Sequence, residues 1–130
     1  AQDFDGDGRQ DLVVTTAELW PSERHRVLIY RNQAPAASWL EVKVATDKGR
    51  APWGAQVSLE LAGGHRQHRW LLNHAGFQTQ PAPVAHFGLG TETNVLAAEV
   101  RWPDGSVKRL ERPAVGRRHV ISLSTAPPGR

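Results

Sequence analysis

From Trp39 onward the chain alternates apolar and polar residues, and this period of two decides what it can fold into. Trp39-Leu40-Glu41-Val42-Lys43-Val44 places Leu40, Val42 and Val44 on one face, Glu41 and Lys43 on the other. Ala55-Gln56-Val57-Ser58-Leu59-Glu60-Leu61 repeats the scheme with Val57, Leu59 and Leu61 inward. Successive side chains of a strand point to opposite faces, so each segment buries one side and solvates the other. Gly63-Gly64 follows, and a glycine pair between alternating segments reads as a hairpin turn. The return strand is expected at 65–72. Further strands are expected at 83–87, 94–102, 106–110 and 119–123, with Pro103-Asp104-Gly105 as a second hairpin turn. No segment sustains a helical repeat. Roughly seven short strands with turn signals every ~8–12 residues indicate an all-β fold, an antiparallel β-sandwich or open barrel.

The segment Ala1-Gln2-Asp3-Phe4-Asp5-Gly6-Asp7-Gly8-Arg9-Gln10-Asp11 is of a different kind. Four carboxylates this close repel one another unless something neutralises them. Calcium does so, taking six to eight oxygen ligands at roughly 2.3–2.6 Å. Asp3, Asp5 and Asp7 can fold inward around one point. Gly8 permits the sharp turn because it has no Cβ. The Arg9 carbonyl can then face the ion, and Asp11 closes the loop. A solvated acidic turn is the alternative, since Asp and Gly favour turns without metal. The loop is not an EF-hand: counted from Asp3, the position of the bidentate Glu holds Val14. Leu12-Val13-Val14-Thr15-Thr16 is a β-branched run and reads as a strand.

The pattern DxDGDGxxDLVV resembles the calcium loop of the FG-GAP/VCBS repeat, the blade unit of integrin-type β-propellers. The resemblance implies Asp3, Asp5, Asp7, Asp11 and the Arg9 carbonyl as calcium ligands. It extends to Val27-Leu28-Ile29-Tyr30-Arg31-Asn32, similar to the closing strand of such a repeat, and covers residues 1–33. A second resemblance begins at Trp39. His86-Phe87-Gly88-Leu89-Gly90 and Val100-Arg101-Trp102-Pro103-Asp104-Gly105 are its anchors, supported by Trp53-Gly54-Ala55-Gln56-Val57 and Gly76-Phe77-Gln78-Thr79-Gln80. In this order they are similar to the ASPIC/UnbV domain, which follows FG-GAP repeats at the C-terminus of larger proteins. Ala51-Pro52-Trp53 departs from the family pattern, which more often has an aliphatic residue before the glycine. The family has no well-defined activity, so the resemblance implies an architecture more than a function.

The organisation expected is therefore a partial calcium-binding blade at 1–33, a linker at 34–38 containing Pro35, a β-domain at 39–123 and a polar tail at 124–130. A single blade-like repeat cannot bury its own faces, so upstream repeats or a protein partner are expected. The chain contains no Met, position 1 included, and is expected to be a processed product or a piece of a longer one.

Charge is split along the chain. Residues 1–11 hold one Arg and four Asp, a net −3; the other 15 basic and 9 acidic residues make the remainder +6. The arginines are dispersed among apolar strand residues, and no reading motif accompanies them, so nucleic acid is not expected as a partner. No run of apolar residues is long enough for a membrane span. Cysteine is absent, which removes disulfides, thiolate metal sites and a Cys nucleophile. Weak calcium sites suit calcium-rich surroundings, which points to an extracellular or periplasmic location.

Catalytic arrangements are sparse. His65 and His68 stand three apart, on opposite faces of a strand. His86 is expected as a buried histidine serving a loop carbonyl, and Gly88-Leu89-Gly90 as a turn that pins Leu89 into the core. No Gly-x-Ser-x-Gly elbow exists. Glu99 and Glu111 are expected to pair with Arg101 and Arg109 on exposed strand faces. Trp39, Trp70 and Trp102 are expected in the core. Trp20 and Trp53 fall in loops, where an aromatic either anchors the loop or offers a contact surface, a sugar platform included. The reading is a non-catalytic calcium-binding module for protein–protein or matrix contact, with polysaccharide as a further candidate partner. The alternative is a hydrolase on polysaccharide or phosphoester using His86 or His74 near calcium.

Overall fold

The computed structural model describes residues 1–18, 20–46, 52–74, 76 and 79–123. The expected tail at 124–130, and Ala51, Phe77 and Gln78 of the quoted motifs, lie outside the described residues. The chain divides into two compact units, Ala1–Ala36 and Ala37–Arg130.

The first unit is the aspartate loop followed by a hairpin of β1 (Leu12–Glu18) and β2 (Arg24–Tyr30). The antiparallel register runs from Leu12↔Tyr30 to Glu18↔Arg24. Partners share a face. One face therefore carries Leu12, Val14, Leu28 and Tyr30, and the other Val13, Val27 and Ile29. Both are apolar and both are open: Leu12 is 47% exposed, Tyr30 54%, Val27 65% and Ile29 72%.

The second unit is all-β, with no helix among the described residues, and is arranged as a sandwich of two sheets. Its strands are β3 (Ser38–Thr46), β4 (Gln56–Leu61), β5 (Arg66–Trp70), β6 (Val84–Gly90), β7 (Val95–Arg101), β8 (Val107–Glu111) and β9 (Arg117–Leu123). One sheet has the order β6-β3-β9, the other β5-β4-β7-β8. The inward positions read from the alternation form the core. Leu40, Val42 and Val44 of β3 meet Val57, Leu59 and Leu61 of β4, with Phe87, Val100, Trp102 and Ile121 between the sheets. Both anticipated hairpin turns are present, with φ of 91° at Gly63, 81° at Gly64 and 87° at Gly105.

Three expectations are corrected. The sandwich is not wholly antiparallel, because β9 pairs with β3 in parallel from Leu40↔Arg117 to Thr46↔Leu123. A parallel pair needs a long crossover, and the whole domain between the two strands supplies it. Gly88-Leu89-Gly90 is not a turn but the end of β6, paired with Ser38 and Trp39 across a bulge. Leu89 is buried as expected, at 7% exposure, but strand parity puts it there.

Of the three tryptophans expected in the core only Trp102 is there: Trp39 shares the outward parity of Glu41 on β3 and is half-buried, and Trp70 is 59% exposed. The register Val57↔Arg69 turns Arg69 inward and Trp70 outward. The inward positions of β5 face the seam with β6, where two edge strands meet without a ladder. Long polar side chains fill that seam. The Arg69 guanidinium sits 5.3 Å above the Phe87 ring, and the Gln67 amide donates to the Gly88 carbonyl at 3.3 Å. At the opposite seam Lys108 Nζ donates to the Ser122 carbonyl at 2.8 Å.

Candidate functional site

The aspartate loop is closed at its base by an isolated bridge between Gln2 and Asp11, with backbone hydrogen bonds of 3.1 and 2.9 Å. Inside it, Asp3 is the organising side chain. Its Oδ1 accepts the backbone N–H of Gly6 at 2.7 Å and of Asp7 at 3.2 Å, and its Oδ2 accepts that of Gly8 at 2.9 Å. The chain must turn back on itself to aim three amides at one carboxylate. Gly6 and Gly8 allow it, with φ of 77° and 86°. Asp11 does the same for the far side: Oδ2 accepts from Phe4 N at 3.1 Å and Oδ1 from Asn32 N at 2.9 Å. Asp3 and Asp11 are buried, at 4% and 3% exposure.

Asp3, Asp5 and Asp11 each place a carboxylate oxygen within 4.8 Å of the other two. Oxygens bound to one calcium at about 2.3–2.6 Å are at most about 5 Å apart. The three carboxylates therefore fit a common ion. Asp7 is placed differently. Its carboxylate is paired with the Arg9 guanidinium and lies 3.5 Å from Arg31 Nη2. The backbone N–H of Arg9 at 2.9 Å, and then its guanidinium, hold the Asp7 carboxyl below the ordinary carboxylate range. Arg31 Nε also lies 2.7 Å from Asp5 Oδ2. Arg9 donates to the Ala34 carbonyl at 3.0 Å. Sequence reasoning missed Arg31 as a counter-charge. The signal was available: a hairpin that pairs Leu12 with Tyr30 returns residue 31 to the loop.

In the second unit the three-stranded sheet carries a row of polar side chains centred on one buried carboxylate. The registers Glu41↔His86 and Glu41↔Arg118 align β6, β3 and β9 across one line. Glu41 Oε2 accepts from Arg118 Nε at 2.7 Å, and Oε1 lies 3.2 Å from His86 Nδ1. His86 stacks on Trp39 with centroids 6.2 Å apart. Glu41 points to the outer face of its sheet yet is 1% exposed. His86 thus serves a carboxylate on the neighbouring strand, not the loop carbonyl expected of it, because it lies inside β6 opposite Glu41.

The four-stranded sheet carries the anticipated exposed ion pairs, in a wider lattice. Arg109 meets Glu111 at 2.7 Å, Glu60 at 3.1 Å and Glu99 at 4.0 Å; Arg101 meets Glu99 at 3.6 Å. On the same face Ser58 Oγ lies 2.9 Å from His68 Nδ1. A hydroxyl beside an imidazole is the start of a nucleophile–base pair, but no carboxylate orients the other His68 nitrogen among the described contacts. His74 Nδ1 lies 2.6 Å from the Asn73 amide oxygen, and His119 Nε2 donates to the Ala114 carbonyl at 2.8 Å. Trp53 packs against the core as a loop anchor, while Trp20 is 86% exposed.

Cartilage acidic protein 1 of Mus musculus is 36% identical over 106 residues, covering 81% of this chain and 16% of that protein. Cartilage acidic protein 1 of Homo sapiens is 36% identical over 106 residues, covering 81% of this chain and 15% of that protein. The Xenopus tropicalis protein of the same name is 34% identical over 106 residues, covering 81% and 16%. The chain thus spans about a sixth of the length of these curated relatives. A family model described as ASPIC and UnbV matches residues 45–128, which takes in six of the seven strands of the second unit whole. That span contains all four quoted motifs of the β-domain, and on it the chain belongs to the ASPIC and UnbV family.

Proposed function

We propose that this chain is a non-catalytic, calcium-binding interaction module of a larger extracellular or periplasmic protein. The observation that carries the proposal is the β1–β2 hairpin, apolar and exposed on both faces. A lone two-stranded hairpin is marginal in water. Strands apolar on both sides belong to sheets covered on both sides. The FG-GAP/VCBS resemblance of residues 1–33 names the cover: further blade-like repeats of the same protein, or a protein partner that takes their place.

Calcium fits the loop beside that hairpin. Asp3, Asp5 and Asp11 would hold the ion, and Asp7 and the Arg9 carbonyl would complete the set once Asp7 leaves its arginines. The ion would supply positive charge and cross-link the loop ahead of β1. The 36% identity to cartilage acidic protein 1, a protein named for cartilage, favours an extracellular setting for the module.

Limited proteolysis combined with sedimentation of the isolated 130-residue chain tests the docking role. Cleavage confined to residues 1–36, or self-association through the hairpin, is the expected result. A monomer whose first 33 residues resist protease fully would contradict it.

A further inference from the structure

The outer face of the four-stranded sheet in the second unit carries a second arrangement, independent of the calcium loop. The strand registers set its side chains out in rows. Trp70, Gln56, Arg101 and Val107 form one row across all four strands. His68, Ser58, Glu99 and Arg109 form the next. With strands about 4.8 Å apart and like-facing residues about 6.7 Å apart, three rows cover a face of roughly 14 Å each way. Trp70 stands at one corner, 59% exposed. Diagonally from it lies a dip of about 40 Å³ with Ser58 and Ala97 in its floor and Glu60, Glu99, Arg66 and Arg109 around it. The dip exists because two small residues sit among long ones.

The charges on this face cancel. Arg66 meets Glu60 at 3.6 Å, Arg101 meets Glu99, and Arg109 is shared among Glu60, Glu99 and Glu111. A polyanion finds each guanidinium already partnered. A protein anchor needs a deep apolar pocket, which a shallow polar dip is not. A neutral sugar needs something else. Its C–H face seeks a flat aromatic ring, and its hydroxyls, each donor and acceptor, seek carboxylates and guanidiniums held in fixed positions by one another. Trp70 offers the ring. The Gln56 amide beside it, the Arg101 guanidinium one strand further along the row, and the ion-paired rim of the dip offer the polar groups.

We propose that this face binds a neutral oligosaccharide, with Trp70 as stacking platform and the Ser58–Ala97 dip as hydroxyl site. The proposal concerns the second unit alone and does not rest on the calcium reading. It is tested by nuclear magnetic resonance titration of the full chain with neutral trisaccharides of the glucose, galactose and N-acetylglucosamine series, against a sulfated heparin oligosaccharide. The expected result is a millimolar or tighter response to at least one neutral trisaccharide, in the Trp70 indole N–H and the amides of Gln56, Ser58 and Glu99. Trp70→Ala should weaken it about tenfold, the size of an aromatic contact, and Trp70→Phe should recover part of the loss. Trp70 is exposed, so both variants keep the fold, which the dispersed amide spectrum verifies. No response to any neutral sugar, an unchanged response in Trp70→Ala, or binding of the sulfated sugar alone would overturn the proposal.

Discussion

Removing Arg118 should cost the second unit more than neutralising Glu41, although the two form one pair. Glu41 is 1% exposed, whereas the Arg118 side chain is 41% exposed. At 2.7 Å and an effective dielectric near 20 the gross attraction is roughly 6 kcal/mol. Desolvating the carboxylate costs several kcal/mol, so the net value of the intact pair is small. Breaking it is not symmetrical. Glu41→Gln leaves Arg118 with water to solvate it and keeps an amide oxygen as acceptor, a loss of about 1 kcal/mol. Arg118→Met strands a buried carboxylate beside His86 alone. Stranded buried charges cost about 3–5 kcal/mol, and the exposure of Arg118 trims the figure to about 2–3 kcal/mol. For a domain of this size that is a fall in Tm of about 10 °C or more, against about 5 °C for Glu41→Gln. Urea unfolding followed by tryptophan fluorescence measures both. If Glu41→Gln cost as much as Arg118→Met, the buried carboxylate would not be the group that sets the energy, and the reasoning would fail.

Three further outcomes are expected. Arg31→Gln should tighten calcium binding, since an incoming ion no longer competes with the guanidinium between Asp5 and Asp7; isothermal titration calorimetry showing weaker binding would refute this. Asp104 accepts the Ser106 N–H at 2.8 Å, and that backbone bond holds its carboxyl below the ordinary range. Its folded value lies below the unfolded one near 3.9, so its stabilisation is present above that pH and is lost as pH falls through the folded value. The wild type should thus lose stability on acidification slightly more steeply than Asp104→Ala, in melts between neutral and strongly acid pH. Gly54 has φ of 86°, and a Cβ there would meet Pro103 Cγ at 3.2 Å. Gly54→Ala should therefore destabilise the second unit by about 1–2 kcal/mol in denaturant unfolding, and equal stability would count against a strained turn.

The strands of the second unit were legible because alternation is a direct record of which side faces the core. Leu40, Val42, Val57 and Leu59 needed no tertiary information. Trp70 did, because Arg66-Gln67-His68-Arg69-Trp70 holds no apolar alternation, and only the pairing with β4 fixes which face each residue takes. The alternation puts Glu41 on the outward face, where solvation is expected. It is outward, but His86 and Arg118 from the flanking strands close over it, and strand order is not written in any one segment. The parallel β3–β9 pair was hidden for the same reason. In the loop, the residue types and their spacing grouped Asp3, Asp5 and Asp7 around one point with Asp11 closing it, whereas the structure brings together Asp3, Asp5 and Asp11. The diversion of Asp7 to Arg9 and Arg31 depends on a hairpin return that local spacing does not encode.

The most direct test of the calcium reading is amide hydrogen exchange of the whole chain, with saturating calcium and after chelation. An ion that binds only the ordered loop stabilises it by RT ln(1 + [L]/Kd), about 2.7 kcal/mol at a hundredfold excess over Kd. That increment should appear in residues 1–33 and be absent from 39–121, and Asp3→Asn with Asp5→Asn should abolish it. Unchanged protection of residues 1–33 after chelation, or loss of protection in the second unit first, would contradict a calcium-ordered loop ahead of an independently folded β-domain.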